Sequence, residues 1–233
     1  MSSRLRPLLQ FVGDNEDNQN AYWGPDINIP TERRLSYAVN ASAPGTDALA
    51  AASAAFSSGA LLYGNNTSFN PDWTTSVFRD DQYHDTLISY AISTYYLAQN
   101  STKGLYADTL PDAGAAYKNR RYEDDLIWAA LWLHKATAGN ETTSAYLTEA
   151  LDMYNSGDVR RDQVFTWASQ AAAIPLLLSQ ILPDQPQWKQ EWDRYIDNVV
   201  SVTTGESKDV RLTKDGLLYY RYDSPAATLN PAL

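Results

Sequence analysis

The chain has 233 residues, 44% of them hydrophobic, and a formal net charge of −10. That length suffices for one domain with a sizeable core, and the acidity makes nucleic acid and anionic membranes poor partners. There is no cysteine, which excludes disulfides, thiolate zinc sites and a cysteine nucleophile; two histidines, His84 and His134, cannot alone make a histidine-rich metal site. No stretch approaches the ~20 apolar residues that span a bilayer. The N-terminal run is short and interrupted by Pro7, so it is not a convincing signal peptide. Five N-glycosylation sequons nevertheless occur, at Asn40, Asn65, Asn66, Asn100 and Asn140, and lean towards secretion of the complete protein.

In chain order, residues 14–20 are a polar loop of calcium-like composition without EF-hand spacing, and a solvated loop is expected there. Residues 24–46 hold Pro25, Pro30 and Pro44 and read as irregular chain. Asp47 is placed to cap a helix over 48–57, which Gly59, Gly64 and the Asn65-Asn66 pair should end. Further on, Tyr83, Leu87, Tyr90, Thr94 and Leu97 recur at helical spacing, with Ile88, Ala91, Tyr95 and Ala98 forming a second face beside them. A helix apolar over so much of its girth should be buried between two layers.

Residues 122–137 place Leu126, Ala129, Ala130, Leu133 and Ala136 in one stripe, with acids first and Lys135 last, as the helix dipole favours. A helix is expected over 143–155, ended by Gly157. Residues 166–182 are apolar nearly all round, and Pro175 should kink or break them. Residues 187–202 are amphipathic, with Trp188, Trp192, Tyr195, Ile196 and Val199 inward. No stretch shows strong strand alternation, and 217–222 is too short to decide. The fold class is therefore all-α, with nearly all-apolar helices alternating with amphipathic ones, as a two-layer barrel of helices needs.

Several motifs occur in a fixed order. Val12-Gly13-Asp14 is followed by Tyr22-Trp23-Gly24-Pro25-Asp26, then by Pro44-Gly45-Thr46-Asp47 heading an alanine-rich helix. Tyr122-Glu123-Asp124-Asp125-Leu126-Ile127-Trp128 comes next, then Phe165-Thr166-Trp167 and Gly216-Leu217-Leu218-Tyr219. This series resembles the middle of a family 9 glycoside hydrolase over roughly residues 11–232, as a divergent branch whose sequon-rich character suggests a fungal source.

The resemblance implies an incomplete (α/α)6 barrel, a single partial catalytic domain over 1–233 with loops to residue 46 and helical hairpins beyond. It implies endo-hydrolysis of β-1,4-glucosidic bonds in cellulose-like polysaccharide with inversion, by two carboxylates set apart to admit a water, in a secreted monomer. The family's base lies in an Asp-Ala-Gly-Asp segment before the first matched motif, and its acid is a glutamate after the last. Asp112-Ala113-Gly114 lacks the final aspartate and lies between matched motifs, so no catalytic residue is assigned, and these 233 residues alone are expected to be inactive.

By the same resemblance Trp23, Asp26 and Tyr222 are expected to contact substrate. Asp124 and Asp125 match acids that bind a structural calcium in many relatives. Here Trp167 is followed by Ala168-Ser169-Gln170 rather than the further aspartate, and Arg120-Arg121 enter the loop, so no cofactor is the primary expectation. From the residues themselves, the 122–125 cluster reads first as acids satisfying a helix N-terminus. Trp128, Trp132, Trp188 and Trp192 are expected to be packing. The alternatives are a non-catalytic glucan-binding polypeptide and another six-hairpin carbohydrate enzyme.

Overall fold

The computed structural model describes residues 8–12, 36–64, 79–110, 119–137, 143–157, 168–201, 210–212 and 218–220, with Pro25, Ile27, Val159, Phe165, Thr166 and Lys214. Its elements run β1 (Leu8–Val12), β2 (Ser36–Val39), α1 (Thr46–Tyr63), α2 (Asp81–Asn100), α3 (Tyr106–Thr109), α4 (Glu123–Ala136), α5 (Thr143–Ser156), α6 (Ile174–Ile181), α7 (Pro186–Ser201), β3 (Val210–Leu212) and β4 (Leu218–Tyr220). They fall into two compact units, Met1–Ala150 and Leu151–Leu233.

In the first unit, α1 packs along both α2 and α4. Its buried residues Thr46, Leu49, Ala50, Ser53, Ala54, Ser57, Ala60 and Leu61 repeat at three and four, one helical face. Most are small, so neighbouring backbones approach closely: Ser53 Oγ donates to Ala91 O of α2 at 2.8 Å. The helix does not end at Gly59 but continues to Tyr63. A Cβ at Gly59 would meet Leu87 at 3.4 Å, an ordinary van der Waals contact, so the glycine is tolerated rather than required there. Packing outweighs a propensity cost of about 1 kcal/mol. The end of α1 is met by His84, whose Nδ1 lies 2.8 Å from Ala60 O.

Asp80 caps α2, its side chain accepting from Tyr83 N at 2.9 Å. Its buried face is Leu87, Ala91, Tyr95, Leu97 and Ala98. The core-facing stripe thus joins Ala91, Tyr95 and Ala98 of the second expected face with Leu87 and Leu97 of the first. Tyr83 and Tyr90 of the first are 45% and 48% exposed; Tyr83 meets Tyr63 edge-on at 4.8 Å and Tyr90 lies tilted against Phe56 at 5.6 Å. The expectation of burial on both sides fails here because a phenol can lay its ring on apolar neighbours and keep its hydroxyl in water. In α4 the stripe is as expected: Leu126, Ala129, Ala130 and Leu133 are buried, with Ile127 and Leu131 beside them. The start of α5 joins through Tyr146, edge-on to Tyr95 at 5.7 Å, and Glu149, which accepts from Gln99.

In the second unit, Pro175 stands in the first turn of α6, after a 3-10 turn at Ala171–Ala173. The apolar run is thus divided where proline is tolerated, at a helix start. In α7 Trp188 is buried, edge-on to Tyr154 at 5.5 Å, and Tyr154 Oη donates to Glu191. Trp192, Tyr195 and Ile196 are half-buried. Two short antiparallel pairs form, β1 with β2 and β3 with β4. The sequence leaves only the stretch of β4 open as a strand, and with three to five residues each the strands are too short for alternation to register.

Candidate functional site

The Pro44-Gly45-Thr46-Asp47 motif and the acidic start of α4 come together around the 104–106 segment. Gly45, not Asp47, occupies the N-cap position of α1. A Cβ there would collide with buried Val39 and lie 3.0 Å from Tyr106 Cβ, so glycine is required for close approach rather than for backbone freedom. Thr46 holds Gly104 twice: its N–H donates to Gly104 O at 2.8 Å, and its Oγ1 accepts from Gly104 N at 3.2 Å. Pro44 closes over the same glycine, where a Cβ would meet its ring at 3.2 Å.

Asp47, one residue into α1, reaches with its side chain to the start of α3. Oδ1 accepts from Tyr106 N at 3.0 Å, satisfying a donor at the start of α3 that the helix itself leaves open. The residue expected to cap α1 thus supplies an acceptor to the start of another helix. Asp47 is 1% exposed. Burial pushes its carboxyl above the usual range, against the pull of backbone N–H donors led by Tyr106 and of the Asn119 amide.

Asp124 and Asp125 lie in the first turn of α4, 0% and 5% exposed. Asn119 Nδ2 donates to Asp125 Oδ2 at a long 3.4 Å. Burial above all, and then the negative charges of Asp124, Asp47 and Glu123, push the Asp125 carboxyl well above its ordinary value of 3.8. A buried group with like charges around it holds its proton into higher pH. Both sequence readings of this cluster placed it at the helix start; neither foresaw Asp47 and Asn119 as its neighbours, which lie far off in sequence or carry no pattern of their own.

Calcium takes six to eight oxygen ligands at about 2.3–2.6 Å. Among the described residues no group of three or more His, Cys, Asp or Glu side chains stands in position to hold a metal ion. The group that Asn119 turns to Asp125 is its N–H donor, not an oxygen. The described residues do not form a calcium cradle. Trp23, Asp26, Tyr222 and Asp112-Ala113-Gly114 lie outside the described residues. Of the tryptophans expected to pack, Trp128 and Trp132 meet edge-on at 5.7 Å and are half-buried, with Lys135 Nζ over the Trp132 ring at 5.3 Å.

Within the first unit, buried polar contacts of Thr46, Asp47 and Asn119 join the starts of α1, α3 and α4. The chain matches the Glycosyl hydrolase family 9 description over residues 5–232. It is 31% identical over 221 residues to Endoglucanase 14 of Oryza sativa subsp. japonica, covering 91% of this chain and 38% of that protein. It is 28% identical over 223 residues to an endoglucanase of Dictyostelium discoideum, covering 93% and 28%. Among solved structures it is similar to the endoglucanase of the termite Nasutitermes takasagoensis, with TM-score 0.74, 24% identity, and coverage of 93% of this chain and 44% of that one. A cellulase of C. cellulolyticum follows at TM-score 0.66 and 20% identity, with the same coverage.

The chain belongs to glycosyl hydrolase family 9. Its fold is of the (α/α)6 barrel class, and it spans less than half the length of the relatives it matches.

Proposed function

We propose that these residues are part of an endo-β-1,4-glucanase that cleaves internal bonds of cellulose-like polysaccharide with inversion. The observation that carries this reading is the family match across residues 5–232. The described acids support a structural share in it. Asp47, Asp124 and Asp125 are at most 5% exposed, closed to a polymer chain, whereas an inverting pair needs room between its carboxylates for a water. Bond cleavage in this reading falls to carboxylates in segments the 233 residues do not contain, and Trp23, Asp26 and Tyr222 contact the glucan. The reading includes no metal cofactor, a monomeric state, and a secreted glycoprotein of fungal type, the last supported by the five sequons.

The test compares the 233-residue polypeptide with a longer chain carrying an Asp-Ala-Gly-Asp segment upstream and a glutamate-bearing segment downstream. Release of reducing ends from carboxymethylcellulose is expected from the longer chain alone, with product anomers showing inversion by NMR. Hydrolysis by the 233-residue polypeptide would overturn the division of labour. In the longer chain, Trp23→Ala is expected to raise KM on soluble cello-oligosaccharides more than it lowers kcat. An unchanged KM would remove Trp23 from the glucan site.

A further inference from the structure

Two of the five sequons fall on described residues, and the structure treats their asparagines in a particular way. Asn40 follows β2 in a closed four-residue turn: its N–H donates to Ala43 O at 2.8 Å and Ala43 N returns to Asn40 O at 3.2 Å. The side-chain oxygen is fully engaged. Oδ1 accepts from Ser42 N at 2.9 Å, Ser42 Oγ at 2.8 Å and Ala43 N at 3.0 Å. Two backbone donors fix which end of the carboxamide is oxygen. Nδ2 is thereby left on the other side, and among the described residues it makes no hydrogen bond. Ala41 and Ser42 are exposed, so the sequon borders solvent.

Asn100 is the exposed last residue of α2. Its Nδ2 donates to Tyr96 O at 2.9 Å. A carboxamide nitrogen has two hydrogens, so one remains for this bond after the other is replaced. The helix end beneath it is tied down: Ser101 Oγ donates to Leu97 O at 2.6 Å, and Lys103 Nζ to Ala98 O at 2.6 Å and Gln99 O at 3.0 Å. One turn back, Tyr96 is 59% exposed, an uncovered aromatic ring of the kind on which a sugar lays its C–H face.

We propose that Asn40 and Asn100 are N-glycan acceptors, each carrying an oligosaccharide on Nδ2 that the folded chain accommodates without losing a hydrogen bond. The inference rests on the secretory part of the proposed function. In the transfer, Nδ2 loses a proton and bonds to C1 of the first sugar of a lipid-pyrophosphate-linked oligosaccharide. The C1–oxygen bond breaks, and the lipid pyrophosphate leaves with its electron pair; nothing is oxidised or reduced. At Asn40 the glycan departs from the face opposite the three acceptor contacts. At Asn100 it departs beside Tyr96, which shields the first sugar.

The test is peptide mapping of the protein recovered from its source organism, after release of N-glycans by peptide-N-glycosidase in oxygen-18 water. Labelled aspartate at positions 40 and 100 is the expected result. Label confined to Asn65, Asn66 or Asn140 would overturn the inference while leaving secretion intact. Absence of label at all five sequons would overturn the secretory reading and the inference together. Ser42→Ala and Thr102→Ala, which keep each asparagine but break its sequon, should each shorten the gel ladder by one glycan step; a ladder unchanged by either variant removes that site.

Discussion

Tyr106 N–H donates to Asp47 Oδ1 at 3.0 Å, so the second residue of α1 caps the first turn of α3. Asp47→Ala removes this acceptor from a buried donor, and a loss of about 1–2 kcal/mol is expected. Asp47→Asn retains a carbonyl oxygen at the same place and should lose less. Urea midpoints of the two variants check the ordering; equal losses would show that the charge, not the acceptor, matters.

Gly45→Ala places a methyl against Val39 and Tyr106. Val39 is 0% exposed, so it has no room to yield. Overpacking of this kind costs about 1–3 kcal/mol. A thermal melt within experimental error of the parent would disprove the close approach.

Two serines of α1 should behave oppositely although both are buried. Ser53 Oγ donates to Ala91 O, whereas Ser57 Oγ is buried without a hydrogen-bond partner among the described residues. Ser53→Ala should destabilise by about 1 kcal/mol, and Ser57→Ala should be neutral or stabilising. Denaturant unfolding of both variants on one scale decides it; a larger loss for Ser57→Ala would refute the assignment.

Asp125 gives the pH dependence. Its carboxyl is raised above 3.8 chiefly by burial, so the folded state holds a proton that the unfolded chain releases first. Between 3.8 and the folded value, stability therefore falls as pH rises, by at most about 1.4 kcal/mol per pH unit for one proton. Asp125→Asn should flatten this slope and gain on the parent as the pH rises above about 4, as read from urea midpoints. A difference between parent and variant that stays constant with pH would exclude Asp125. In the same series, calcium or EGTA should leave the midpoint unchanged.

How much of this was legible in the sequence depends on how far each partner lies along the chain. The α4 stripe of Leu126, Ala129, Ala130 and Leu133 was readable because periodicity within one helix carries it. Pro175 marked a helix start because its effect is local. Gly59 misled because local propensity says nothing of the burial of Ala60 and Leu61 just beyond it. Asp47 was read correctly as a capping residue but for the wrong helix, since Tyr106 is an ordinary position until the fold brings it near. Of the candidate site, Asp124 and Asp125 were placed at a helix start as found, while their coupling to Asp47 was invisible to any local pattern.

The central place of α1 also bears on the order in which the structure assembles. It packs along α2, the next long helix in the chain, and along α4, which lies two helices further on. The nearer contact closes a shorter loop and loses less chain entropy, so α1 and α2 should pair before α4 is captured. Refolding followed by pulsed hydrogen exchange would then show amides of α2 protected ahead of those of α4, with the Tyr106 amide, held by Asp47, shielded only once α1 has formed.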